Sequence, residues 1–133
     1  ANTKVLEPSG HCCYTGYHSS FSMTTSFGPS IATTAWASVA PNSLQILSHE
    51  VGEWLDDPFY TNAAPSWINP ISHACNGSQL EVGDPVTNYQ FAVNGTMLQD
   101  LMFLQWFSRA TPSTAINGQY DLMGNFNAPS APC

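Results

Sequence analysis

The stretch Ser48-His49-Glu50-Val51-Gly52-Glu53-Trp54-Leu55-Asp56-Asp57-Pro58 decides how this chain is read. It begins like the metal-binding helix H-E-x-x-H, but Glu53 stands where the second histidine belongs. Around it the apolar residues Leu44, Leu47, Val51, Trp54 and Leu55 recur at helical spacing, in a stripe of about 100°. Asn42 followed by Gln45 has the form of a capping box. Asp57-Pro58 is a stop, because the residue before proline avoids helical backbone angles. A helix over about 43–56 is predicted. At 100° per residue, His49, Glu53 and Asp56 fall within about 60° of one another, opposite the apolar stripe. The helix is therefore expected to bury the stripe and to present an imidazole and carboxylates on its other face. Positions i and i+4 stack one turn apart, so His49 and Glu53 can grip one ion. Imidazole with carboxylate is an acceptable zinc set.

The acid balance leads to the same place. The chain has nine acidic residues and two basic ones, Lys4 and Arg109, for a net charge of −7. Six of the acids form two clusters: Glu50, Glu53, Asp56 and Asp57, then Glu81 and Asp84. Unpaired carboxylates this close repel one another unless a positive charge joins them, and a bound cation is the economical answer. The same balance makes nucleic acid a poor partner.

The 133 residues suffice for one domain, spanning 1–133, with a modest core. No apolar run approaches the roughly 20 residues of a membrane span. The weakly charged, polar surface suits a secreted, extracellular protein. The start at Ala1 reads as the processed C-terminal part of a longer precursor, so a removed pro-segment or self-assembly enters the list of partners. Cys12, Cys13, Cys75 and Cys133 have no metal-knuckle spacing. Adjacent Cys12 and Cys13 are expected to serve two different disulfides, one of them tying down Cys133. Asn76-Gly77-Ser78 and Asn94-Gly95-Thr96 are glycosylation sequons or simply turns.

Elsewhere, residues 1–13 form a Pro/Gly-broken entry segment. Tyr17, Ser19, Phe21 and Met23 alternate with His18, Ser20 and Ser22 as on a strand. A turn is expected at Gly28-Pro29, and a second strand over Ile31 to Val39. Residues 58–95 form a long irregular loop with four prolines, Pro58, Pro65, Pro70 and Pro85. Met97 to Arg109 is apolar around most of its circumference, so a buried C-terminal helix is expected over about 97–109, capped by Thr96 and Gln99 and stopped at Thr111-Pro112. The tail from Asn117 is expected to wrap back to a disulfide. His18 reads as a structural histidine or as a cleft-facing substrate-binding or fourth-ligand group, and His73 as a solvated loop residue within reach of the metal. Trp36, Trp54 and Trp106 read as core, and Trp67 as core or a cleft or glycan contact. No G-x-S-x-G, Ser/His/Asp or phosphate-cradling glycine motif is present.

The pattern S-H-E-x-x-E-x-x-x-D-P, followed downstream by Trp67 and Glu81-Val82-Gly83-Asp84, resembles a family of secreted zincin-like proteins. Most of that family is bacterial, and plant Exordium-type, phosphate-induced proteins carry a similar pattern. Gly16-Tyr17-His18-Ser19 and Leu98-Gln99 with Trp106-Phe107 extend the resemblance from about residue 12 to the end. It implies an α+β, zincin-like fold: a small sheet, an active-site helix, and an irregular segment returning a third ligand. Carried over by position, His49 and Glu53 become metal ligands and Glu50 the general base. The third ligand stays open between Glu81 and Asp84, with Asp56 and Asp57 outside candidates. Glu53 in place of histidine makes the site harder, so Ca2+ or Mn2+ competes with Zn2+. Two functions fit: a metallopeptidase acting on a peptide or protein substrate, or a non-enzymatic extracellular structural, assembly or surface-binding module with a structural or vestigial site.

Overall fold

A computed structural model describes residues 5–6, 12–111 and 117–133, with side chains from Thr15 onward. Most of the entry segment and Pro112 lie outside these residues. The architecture is α+β, built from four two-stranded antiparallel pairs and two helices among the described residues. Strands β1 (Val5–Leu6) and β2 (Cys12–Tyr14) form the first pair. A long hairpin follows, β3 (Gly16–Thr25) and β4 (Gly28–Ala37), in the register Tyr17↔Trp36 to Thr25↔Gly28. Its turn is Ser26-Phe27, two residues before the expected Gly28-Pro29. Gly28 takes φ +113, open to glycine, and begins β4. The Thr25 hydroxyl braces the turn, accepting from Phe27 N at 3.1 Å and donating to Gly28 O at 3.0 Å.

Helix α1 (Gln45–Asp56) falls within the predicted span, but its start differs. No capping box forms: Leu44 is the N-cap and has no side-chain cap bond. Asn42, at φ 59, instead offers its carbonyl to Met97 N at 3.0 Å, and Leu44 N donates to Met97 O at 2.8 Å. At the other end Asp57 accepts from Thr61 N and Asn62 N, both at 2.9 Å, which ties down the following loop.

The polar face of α1 turns inward, against expectation, while Leu47, Val51 and Trp54 of the apolar stripe are half-buried. Its buried residues are Glu50, Gly52 and Glu53, while Leu55 is 69% exposed. The helix lies between the hairpin and the strand that contains Met97. Trp54 Nε1 donates to Thr33 Oγ1 at 2.9 Å, holding the flank of the apolar stripe against β4. The polar face turns inward because polar partners wait there: His18, the backbone of Gly83, and Gln99.

The expected helix over 97–109 is also corrected. Thr96–Gln99 is a strand, β8, paired with β7 (Gln90–Val93) through Asn94-Gly95 at φ 49 and φ 79. Two consecutive positive φ values make the tight hairpin turn for which Asn-Gly is suited. The Thr96/Gln99 cap therefore does not exist. What remains helical is α2 (Leu104–Ser108), closed by Arg109 in the left-handed conformation. The expected burial survives in Met102, Trp106 and Phe107.

The long segment after α1 carries β5 (Trp67–Ile68) paired with β6 (Cys75–Asn76), then a 3₁₀ turn at Asp84–Val86. The tail does wrap back. Ile68 N donates to Ala131 O at 2.9 Å, and Cys133 forms a disulfide with Cys75. The partner of Cys133 is thus Cys75 and not Cys12 or Cys13, whose side chains lie outside those described. The hydrophobic core sits in this half of the molecule: Trp67, Val82, Val86, Met102, Trp106, Phe107 and Tyr120. Trp67, only 1% exposed, meets Trp106 and Phe107 edge-on at 5.4 and 5.8 Å, so it is a core residue.

Candidate metal centre

Three parts of the chain converge on the inner face of α1. The helix brings His49, Glu50 and Glu53. Strand β3 points His18 at it, from the face opposite Tyr17 and Phe21. The segment entering the 3₁₀ turn brings Glu81 and Asp84. His49 Nε2 lies 3.1 Å from Glu53 Oε2 and 3.7 Å from Asp84 Oδ1. His18 Nδ1 lies 3.3 Å from the same Glu53 Oε2 and 3.7 Å from Glu50 Oε2, while its Nε2 is 3.8 Å from Glu81 Oε2. Two donors each about 2.1 Å from a tetrahedral ion sit about 3.4 Å apart, so these separations suit shared coordination. His49, Glu53 and Asp84 form one group whose donor atoms all lie within 4.8 Å of one another, and His18, Glu50 and Glu53 form another.

Two glycines make the convergence possible. A Cβ on Gly83 would meet the His49 ring at 2.5–2.8 Å, and one on Gly16 would collide with the Glu50 carboxylate and Ile46. Gly83 also contributes its backbone. Its N–H donates to Glu53 Oε1 at 3.1 Å, which directs Oε2 toward the two imidazoles. The Gln99 amide donates to Gly83 O at 2.8 Å and lies 2.8 Å from His49 Nδ1. Glu53 Oε2 accepts from His49 Nε2–H, and an ion bound at Nε2 would displace that proton.

The cluster is short of positive charge. Arg109 is spent elsewhere, on the carbonyls of Ser130 and Ser66. Protons fill the gap. Burial lowers the His18 pKa, but Glu50 and Glu53 outweigh it and push it up to about 10. His49, opposed by burial in the same way, rises to about 9 through Glu53, Glu50 and Asp84. Glu53 falls to about 2, because His18 and His49 overcome its burial. Burial and the Glu53 charge push Glu81 up to about 8 and raise Asp84 as well. A site that recruits this many protons suits a multivalent cation that would displace them.

All five residues singled out in the sequence, His49, Glu50, Glu53, Glu81 and Asp84, lie in or beside this centre. Asp84 joins the His49 group, whereas Glu81 faces His18. Asp56 and Asp57 do not join: Asp57 is committed to backbone N–H groups, and Asp56 is in neither donor group. His73 is exposed in the turn after Asn69. His18 is more central than the sequence suggested, and Gln99 was missed as a partner of His49. The alternation of β3 was the available signal for His18; Gln99 had none of its own.

A cleft of about 290 Å³ opens beside the centre, lined by Tyr60, Trp67, Asn76, Gln79, Glu81 and Asp84. Asp84, with 46% of its side chain exposed, is where the centre meets solvent. Compared with family models, with curated proteins and with solved structures, the chain matches none.

Proposed function

We propose that this chain is a divalent-metal-binding, zincin-like protein that hydrolyses peptide bonds. His49, Glu53 and Asp84 hold the ion, and Glu50 is the general base. The observation that carries this reading is the convergence of one imidazole and two carboxylates, with no Lys or Arg among the described residues paired to them and with Asp84 at the wall of an adjoining cleft. Asp84 is preferred to Glu81 as third ligand because it lies against His49, whereas Glu81 lies against His18. One nitrogen and two carboxylates make a hard set, so Zn2+ meets competition from Mn2+ and Ca2+.

When bound, the cation would supply Lewis-acid polarisation of a carbonyl and a water of lowered pKa. The chain's own residues do the rest. Glu53 is locked by Gly83 N–H and stays ionised. Glu50, one turn before Trp54 and buried beside His18, offers a carboxylate oxygen to take a proton. In this reading a peptide would enter through the cleft beside Asp84. The disulfide, and described helices that are all too short or too polar to cross a membrane, agree with an extracellular setting. The test is casein cleavage. Activity should vanish with chelator and return with zinc, and Glu50→Gln should abolish it while the ion at His49, Glu53 and Asp84 stays bound. Cleavage indifferent to both would refute the peptidase reading.

One observation favours a non-enzymatic assembly module instead. The β3–β4 hairpin exposes Phe21, Met23 and Ile31 along its length and Phe27, 100% exposed, at its tip. Self-association in sedimentation that survives Glu50→Gln and is lost in Phe27→Ser would support it.

A further inference from the structure

The donor set is larger than one ion needs. The surplus is His18, Glu50 and the second face of the Glu53 carboxylate. The His18 side chain is 3% exposed, and its Nε2 has no hydrogen-bond partner. A buried imidazole that served only as a protonated counter-charge would donate from both nitrogens. Here Nδ1 faces two carboxylates, and Nε2 points at Glu81 from 3.8 Å, beyond hydrogen-bond reach.

From this geometry we infer a second divalent-cation site formed by His18 Nδ1, Glu50 and Glu53, joined to the first through Glu53 Oε2. The inference rests on the reading that His49, Glu53 and Asp84 hold the first ion. Glu53 Oε2 is the common atom, 3.1 Å from His49 Nε2 and 3.3 Å from His18 Nδ1. A carboxylate oxygen shared in this way bridges paired ions, which in two-metal sites stand about 3.5–4 Å apart. Glu81 stands outside the second site, 3.8 Å from His18 Nε2 on the side of the ring away from Nδ1. Gly16 is the structural condition, since any side chain there would displace Glu50.

The second ion changes the part played by Glu50. With only the first ion present, Glu50 is free to accept a proton. With both present it is a ligand, so excess metal inhibits hydrolysis through the same residue that performs it.

Anomalous scattering from crystals of the whole chain grown with excess zinc tests the count directly. Two peaks about 4 Å apart are expected, one against His49, Glu53 and Asp84, the other against His18, Glu50 and Glu53. A single peak at His49 leaves the first site standing and overturns the second. No peak overturns both. In solution, equilibrium dialysis against zinc should give two ions per chain in wild type and one in His18→Gln, with second-ion affinity reduced more than about 100-fold. Two ions retained by His18→Gln would also overturn the inference. Should that variant fail to fold, the peak count on the unaltered chain still decides.

Discussion

Replacing Gly83 with alanine probes the centre without touching a ligand. Gly83 has φ −86 and ψ −30, a conformation alanine adopts freely, so the backbone is not strained. The added methyl would lie 2.5 Å from His49 Nδ1, 2.7 Å from Cγ and 2.8 Å from Cε1. Carbon contacts are comfortable from about 3.5 Å, so the ring must back away by about 0.7–1 Å. Metal–ligand distances tolerate about 0.2 Å. His49 would therefore leave the first ion's coordination sphere, and zinc affinity should fall by at least about 100-fold. The move also breaks the contacts of His49 with Gln99 and Glu53, which costs about 1–3 kcal/mol of stability. Competition with a chromophoric chelator reads the affinity, and a circular-dichroism melt confirms the fold. Gly77→Ala is the control, because a Cβ there meets nothing within 4 Å. A folded Gly83→Ala protein that binds zinc within about threefold of wild type would refute the assignment of His49.

Protonation gives the metal-free chain a pH signature. His18 and His49 are raised to about 10 and about 9, so their contribution is full below their ordinary 6.5 and is lost as pH climbs through those values. Glu81, raised to about 8, is held protonated, and its ionisation costs stability between about 4.5 and 8. Glu53, lowered to about 2, contributes above its ordinary 4.5 and loses that contribution only as pH falls through about 2. Thermal midpoints in chelator should therefore fall steadily from pH 5 to pH 10, and a rise over pH 6–9 would contradict the geometry. Reducing the Cys75–Cys133 disulfide, which spans 58 residues, should cost roughly 4 kcal/mol in denaturant titrations. Asp121→Ala strands Asn125 N and Phe126 N in the C-terminal turn and should destabilise by roughly 2–5 kcal/mol on the same scale.

Helix α1 was legible from its helical apolar spacing, and the β3–β4 hairpin from the alternation at Tyr17 to Met23 and the β-branched and aromatic residues after Gly28-Pro29. Which face of α1 turns inward was not. That depends on His18, Gly83 and Gln99, which lie far from the helix in sequence and supply polar contacts the apolar stripe cannot match. Met97–Arg109 misled because a segment apolar all round carries no period. The Asn94-Gly95 pair between Gln90–Val93 and Thr96–Gln99 was the hairpin signal that outranked it. The choice between Glu81 and Asp84 turns on the path of a few loop residues, which no local pattern dictates. Acids outside the cluster find partners of another kind. Asp57, Asp100 and Asp121 satisfy themselves with N–H donors, and Asp100, raised to about 6 by burial and by Asp121, needs no cation.

In the proposed function His49 and Glu53 hold a metal ion. Elemental analysis after dialysis against zinc, on wild type and on the His49→Ala/Glu53→Ala double variant, decides whether they do. Wild type should retain at least one ion per chain, and the folded double variant should lose the ion at His49. No stoichiometric metal in wild type, or the same content in the double variant, would contradict the account.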